Sequence, residues 1–209
     1  EGSRFAPAML ASGVYAGVFT PDFAYSREDR EGKRFGEELE RIGYRGAEPV
    51  GAHRLGALFE LHIEQGPILE DEKIDIGVVT HGQGQRWYEY AIKGFESHAG
   101  STPMPRRRDA LLGAARIVEL VNRTALAHPP LAMGTCGVIE SKPGSRNVIP
   151  GEVFLTSEFR HPDDAVLNAM DAALREGVAN IAARGRLEIE LREISYYPPV
   201  PFEAGCVAA

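Results

Sequence analysis

The sequence is short of cysteine, of positive charge and of long apolar runs, and each shortage closes off a class of protein. Cys136 and Cys206 are the 2 thiols among 209 residues. They are too few for a disulfide framework and lack the short spacing of a metal-binding pair, and no signal peptide is expected. The expectation is reduced thiols in a cytoplasmic protein. Lys and Arg number 23 against 30 Asp and Glu, a net charge of −7. The longest basic run, Arg106-Arg107-Arg108, reads as a solvated helix entry, so no nucleic-acid partner is expected. No stretch approaches the roughly 20 apolar residues of a membrane span, so no membrane partner is expected either. The chain also lacks a Met at its start. Glu1-Gly2-Ser3-Arg4-Phe5 and Cys206-Val207-Ala208-Ala209 have the character of interior sequence, and the expectation is an internal fragment of a longer protein. What is present, 44% apolar and 25% charged residues, suits a globular protein with a sizeable core in one large or two small domains.

Phe59 to Pro67 is a β-prone run carrying His62, Glu64 and Gln65 to a Gly66-Pro67 turn. The end of a buried strand is where open α/β sheets bind ligands, which makes His62 a candidate metal ligand. Taken alone it reads more readily as a core histidine with satisfied ring nitrogens. Arg27 to Arg45 reads as mostly helical and solvated. Gly77 to Thr80 reads as a strand entering a flexible joint, His81-Gly82-Gln83-Gly84. Beyond the joint the pattern sharpens. Tyr88, Tyr90 and Ile92 alternate with Trp87, Glu89, Ala91 and Lys93 in the period-two signature of a strand. Asp109 to Val121 predicts a helix with Leu111, Ala114, Ala115, Val118 and Val121 as its inner stripe. Thr135 to Ile139 and the run containing Val153, Leu155 and Phe159 predict two strands either side of a Pro143-Gly144-Ser145 turn. Pro162-Asp163-Asp164 opens a second helix, buried through Val166, Met170, Leu174, Val178 and Ile181. Leu187, Ile189 and Leu191 give a last strand with one wet face.

The order β-α-β-β-α-β is that of a ferredoxin-like unit, two helices over an antiparallel four-stranded sheet. Pro198-Pro199-Val200-Pro201 reads as a stiff connector leading back to the part that holds His62. The expected fold class is therefore α/β with an α+β insert: 1–82 part of one domain, 83–196 the inserted unit, and 197–209 the return.

Three polar groups fall on loops or strand ends of the insert: His98 in Ser97-His98-Ala99-Gly100-Ser101, Asn147 in Arg146-Asn147-Val148, and Arg160. Singly, His98 reads as readily as a capping residue, Asn147 as a turn residue and Arg160 as a surface charge; Gln65 and Arg86 read as solvated loop residues. As a set, an imidazole, an amide and a guanidinium suit an anionic substrate, with a carboxylate for Arg160 and a developing oxyanion for His98.

The ordered motifs Glu1-Gly2-Ser3-Arg4-Phe5, Glu60-Leu61-His62-Ile63-Glu64-Gln65-Gly66-Pro67, Ser97 to Met104, Arg107-Arg108-Asp109-Ala110 and Asn147-Val148-Ile149-Pro150 cover nearly the whole chain. Together they resemble the amidase, hydantoinase and carbamoylase family, which contains N-carbamoyl-L-amino acid hydrolases, β-ureidopropionases and allantoate amidohydrolases. The resemblance implies part of a di-zinc aminopeptidase-like catalytic domain, with the insert serving as lid and dimerisation domain of a homodimer. It implies two divalent metal ions (Zn, Mn, Co or Ni) with Glu1 and His62 among their ligands. It implies substrate contacts from Gln65, Arg86, His98, Asn147 and Arg160, His98 also acting in catalysis. The Glu that the family's motif carries just before Glu1, its general base, is absent from the sequence, as are further His and Asp ligands, so the chain alone is expected to be inactive. Two rivals stand beside this reading: a related metallopeptidase or aminoacylase, and a non-catalytic dimerisation module.

Overall fold

The structure, a computed structural model, describes residues 4–7, 9–51 and 53–209. Internal contacts divide the chain into two units, Glu1–Ile63 and Glu64–Ala209.

The first unit holds three short helices, α1 (Leu10–Tyr15), α2 (Pro21–Tyr25) and α3 (Phe35–Arg41). Thr20 caps α2 by accepting from the Phe23 N–H at 3.1 Å, with Pro21 at the first helical position. Phe5, Leu10 and Ala24 are buried together, walled by Val14, Phe19, Phe23 and Phe35. Arg4 pairs with Asp29 at 2.7 Å and Glu38 at 2.8 Å. Arg4 and Phe5 of the first motif thus anchor the chain beside its start. The helix expected over Arg27 to Arg45 is confined to α3. Asp29 accepts from the N–H groups of Glu31 and Lys33, both at 2.9 Å, and this side chain turn competes with the helical ladder. From Leu55 to Ile63 no helix or strand is formed, including the strand expected from Phe59: Leu61 and Ile63 lie exposed, and among the described residues no strand lies beside them to take up their backbone groups.

The second unit begins with α4 (Ile68–Glu72), capped by the Glu64 carboxylate, which accepts from Ile68 N–H at 3.0 Å and Leu69 N–H at 3.1 Å. Gly77 to Thr80, expected as a strand, is not assigned to one. Instead β1 (His81–Gly82) pairs with β8 (Val200–Pro201), and Phe202 N–H donates to the Thr80 carbonyl at 2.9 Å. The connectors into and out of the region between them therefore form one antiparallel neck.

Between them run β2 (Gly84–Lys93), β3 (Ser97–His98), a 3₁₀ turn (Met104–Arg106), α5 (Ala110–Leu126), β4 (Met133–Lys142), β5 (Val148–Ile149), β6 (Glu152–His161), α6 (Asp164–Gly185) and β7 (Glu188–Tyr197); α7 (Ala204–Ala208) follows the neck. The long strands form a four-stranded sheet in the order β4-β6-β2-β7, with every neighbour antiparallel. This is the split β-α-β topology expected from the order of elements. Tyr88, Tyr90 and Ile92 of β2 and Val153, Leu155 and Phe159 of β6 face α5 and α6, and these residues are 0–3% exposed. Buried Tyr90 shares a 2.7 Å hydrogen bond with Ser157, which offsets the cost of its hydroxyl. Asp109 and Asp163 cap α5 and α6.

The inner stripe of α5 is turned from the expected one. Ala110, Gly113, Ala114, Ile117, Leu120 and Val121 are buried, whereas Leu111, Ala115 and Val118 are exposed. The helix is apolar on most sides, and its small residues face inward because they let it settle close to the sheet. No helix among the described residues is long and apolar enough to cross a membrane.

Candidate substrate-binding site

At the end of the sheet away from the neck, the chain leaves β2 through Gly94, whose N–H donates to the Gly151 carbonyl at 2.7 Å. A Cβ at Gly94 would run into the carbonyl oxygen of Arg108, so the crossing requires glycine. Beyond it β3 and β5 make a two-stranded ribbon with His98 opposite Val148. Ala99 N–H donates to the Asn147 carbonyl at 2.8 Å, which joins the loop after His98 to the backbone at Asn147.

The loop after His98 folds back on the imidazole. The N–H groups of Gly100 and Ser101 donate to His98 Nδ1 at 3.0 and 3.1 Å. Gly100 lies close under the ring, where a Cβ would sit 3.0 Å from His98 Cε1 and press on it. With Nδ1 accepting twice, the hydrogen-bond pattern assigns the proton of the neutral ring to Nε2, which is left as an outward donor. Arg107 braces the loop by donating to the carbonyls of Ala99 at 2.6 Å and Thr102 at 3.1 Å. Arg108 donates to the Arg186 carbonyl at 2.7 Å. Two members of the basic triplet are thus structural ties, where a solvated helix entry was expected. Asn147 Oδ1 accepts from the Ser145 hydroxyl at 2.9 Å, which leaves its Nδ2 as a second donor.

Arg160 lies near the other end of β6, opposite Gln85 of β2 and Met133 of β4. Strand alternation points it away from the helices. Its Nε and Nη2 donate to the two oxygens of Glu158 at 3.2 and 3.0 Å. Eight residues of extended strand separate it from Glu152, which follows the His98–Asn147 ribbon by three residues, a span of roughly 27 Å at about 3.4 Å per residue. One copy of the chain therefore carries His98 and Asn147 on one ribbon and holds Arg160 at the far end of β6.

Arg86 is set apart again, because alternation along β2 turns it to the helix side of the sheet. Its side chain is 11% exposed, ion-paired with Glu193, stacked on the Tyr196 ring at 4.1 Å and hydrogen-bonded to Asn168. Burial, and then a 2.8 Å hydrogen bond to Asp171, push the neighbouring Tyr88 hydroxyl far above its ordinary pKa. Gln65 sits exposed in a bend before α4 with φ of +56°. His62 is exposed on the unpaired stretch of the first unit, and Glu1 lies outside the described residues. Among the described residues no three His, Cys, Asp or Glu side chains gather to hold a metal ion. The donor set of a metal centre is not assembled here, and no chemical step is routed through one.

Sequence reasoning read Arg107 as a solvated charge and passed over Glu158, the Glu64 cap and the Asp171–Glu193–Tyr196 cluster around Arg86. The Glu158/Arg160 pair had a signal, since residues two apart on a strand share a face. The Arg86 cluster had none, because its members come from β2, α6 and β7.

These features define a class: an α+β domain on a two-stranded neck, with polar side-chain donors at both ends of its sheet. Its relatives make the class specific. An N-carbamoyl-L-amino-acid amidohydrolase of Rhizobium meliloti is 50% identical over 203 residues, covering 97% of this chain and 49% of the relative. An allantoate amidohydrolase of Bacillus subtilis is 34% identical over 212 residues, covering 100% of this chain and 51% of the relative. Among solved structures, an amidase of the hydantoinase/carbamoylase family from Burkholderia multivorans matches with a TM-score of 0.86 at 64% identity, over 100% of this chain and 51% of that one. No protein-family model matches the chain. The chain spans about half the length of the curated relatives it matches. By sequence and by fold it belongs to the hydantoinase/carbamoylase family of amidases.

Proposed function

We propose that the chain is part of a hydrolase that cleaves a linear C–N bond of an N-carbamoyl amino acid or of a ureido acid such as allantoate, the substrates in its relatives' names. The observation that carries the reading is the state of His98. An imidazole whose Nδ1 is saturated by two backbone N–H groups offers Nε2–H as a fixed donor, as needed where negative charge develops on an attacked carbonyl oxygen. Asn147 supplies an amide donor from the same ribbon, and Arg160 takes the substrate carboxylate. The two divalent metal ions that this family reading implies would find one described candidate ligand here, His62, with Glu1 as the second. When bound they supply an activated water. The residues of this chain bind the anion, orient it and stabilise charge.

The neck formed by β1 and β8 supports the reading of the sheet region as an inserted lid, with entry and exit side by side. Gln65 and Arg86 remain assigned to substrate contact by resemblance, Arg86 only if it leaves its present ion pairs. The roughly 27 Å of strand from Glu152, just after the ribbon, to Arg160 supports a homodimer in which one copy supplies Arg160 and the other His98 and Asn147, since no small substrate spans that length.

The test uses the full-length protein with metal, assayed for ammonia release from N-carbamoyl amino acids and allantoate, and for dipeptide cleavage. His98→Ala is expected to lower kcat about 10²-fold, and Arg160→Ala to raise KM about tenfold or more. Co-expressing the two impaired variants is expected to restore part of the activity, because each mixed dimer then has one intact site. Dipeptide cleavage without ammonia release would move the protein to the metallopeptidases. Normal turnover in both variants would leave a dimerisation module.

A further inference from the structure

We infer that Glu158 is a positioning residue for the substrate carboxylate, acting through Arg160. The inference rests on the proposed role of Arg160 and extends it to the neighbouring residue. A guanidinium has two edges that can take a carboxylate: the side edge, Nε with one Nη, and the end edge, Nη1 with Nη2. Glu158 occupies the side edge, accepting from Nε at 3.2 Å and from Nη2 at 3.0 Å. Nη1 has no partner among the described residues, so the end edge stays open to a second anion.

The pair sits on the sheet face turned away from the helices. Both residues belong to β6, two positions apart, with Trp87 and Gln85 opposite them on β2. Trp87 Nε1 donates to Gln85 Oε1 at 3.2 Å, so Gln85, the cross-strand neighbour of Arg160, is engaged in its own strand. Glu158 is 29% exposed and Arg160 42% exposed at their side chains. The contact is therefore worth little as a stabilising salt bridge. Its effect is geometric. An arginine carries several rotatable bonds, and an exposed one without a partner would have to be ordered by the substrate at the expense of affinity. Glu158 orders it in advance, with the rigid fork facing outward.

A competing role for the same contact predicts the opposite sign. Were Glu158 a plug that the substrate has to displace, its removal would tighten binding.

The experiment uses the full-length enzyme with metal and reads KM and kcat for an N-carbamoyl amino acid in Glu158→Gln, Arg160→Ala and the double variant. Thermal unfolding of each variant confirms that it is folded. Glu158→Gln is expected to raise KM about fivefold to tenfold with kcat changed less than twofold, and Glu158→Asp to fall between it and the parent. In the Arg160→Ala background, Glu158→Gln is expected to add nothing, because its effect passes through the guanidinium. Unchanged or lowered KM in Glu158→Gln, with KM raised in Arg160→Ala, overturns the role of Glu158 and leaves that of Arg160 standing. Additive effects in the double variant also overturn it. Unchanged KM in Arg160→Ala removes the reading of Arg160, and the inference with it. If Glu158→Gln does not fold, Glu158→Asp decides the sign.

Discussion

Two stretches of the second unit carry the same kind of pattern and meet opposite fates. In β2, Tyr88, Tyr90 and Ile92 alternate with more polar residues and are 0–1% exposed. Just upstream, Ile74, Ile76 and Val78 also alternate, and they are 44–81% exposed with no strand beside them. Phe59, Leu61 and Ile63 of the first unit behave like the second case. β2 has β6 on one side and β7 on the other to take its N–H and C=O groups, and two helices to cover its apolar face. Alternation states which side chains share a face. Whether that face is buried depends on a partner, and partners come from elsewhere in the chain.

The largest effect that would break this comparison is a cavity made in each region. Leu155 lies at 0% exposure at the centre of β6, so Leu155→Ala is expected to cost roughly 2–5 kcal/mol. Leu61 is fully exposed, so Leu61→Ala in the 209-residue chain is expected to stay within about 0.5 kcal/mol. Urea unfolding followed by the fluorescence of Trp87, the single tryptophan, reads the sheet region. A second transition followed by far-UV dichroism reads the helices of the first unit. Comparable losses from both substitutions would show that the exposed run is covered in solution.

How legible each part was follows from the same distinction. The sheet region announced itself because its strands and helices pair within one hundred or so residues, so that each local pattern found its partner close by. Asp109 and Asp163 marked the helix starts, and Tyr88 through Ile92 marked the buried face. The phase of α5 was not legible, because Leu111 and Val118 are as apolar as Ile117 and Leu120 and only packing chooses between them. At the candidate site, the residue types at 98, 147 and 160 were readable. Their separation along β6 was not, because it is a property of register. Nor was the burial of Arg86 readable, since Glu193 and Asp171 stand far from it in sequence.

Arg86 gives the next test, and it sharpens the contrast between a charge held inside the sheet region and one at the surface of the first unit. Removing one partner of a buried ion pair strands the other, so Arg86→Ala is expected to cost about 3 kcal/mol as Glu193 and Asp171 lose their cation. Arg4, 41% exposed, is expected to cost less than about 1 kcal/mol as Arg4→Ala. Urea midpoints compare the two. Equal losses would mean that Arg86 is better hydrated than its 11% exposure indicates.

The smallest effect concerns acid. Hydrogen bonds from Arg41 first and then from Arg4 hold the Glu38 carboxyl down at about 2, against 4.5 for a free glutamate. On acidification the unfolded chain therefore takes up this proton first. The contribution of Glu38 is fully present above about pH 4.5 and is lost as the pH falls from there through about 2. Between those limits the protection of α3 amides against hydrogen exchange, corrected for intrinsic rates, is expected to decline. Glu38→Gln removes the titrating group, so its protection is expected to start lower at neutral pH and change less over the same interval. The amides of β2 serve as the internal reference, since their protection does not depend on Glu38. If Glu38→Gln follows the parent curve point for point, the Arg4–Glu38–Arg41 contacts do not hold the first unit together, and Phe5 with its aromatic neighbours does so alone.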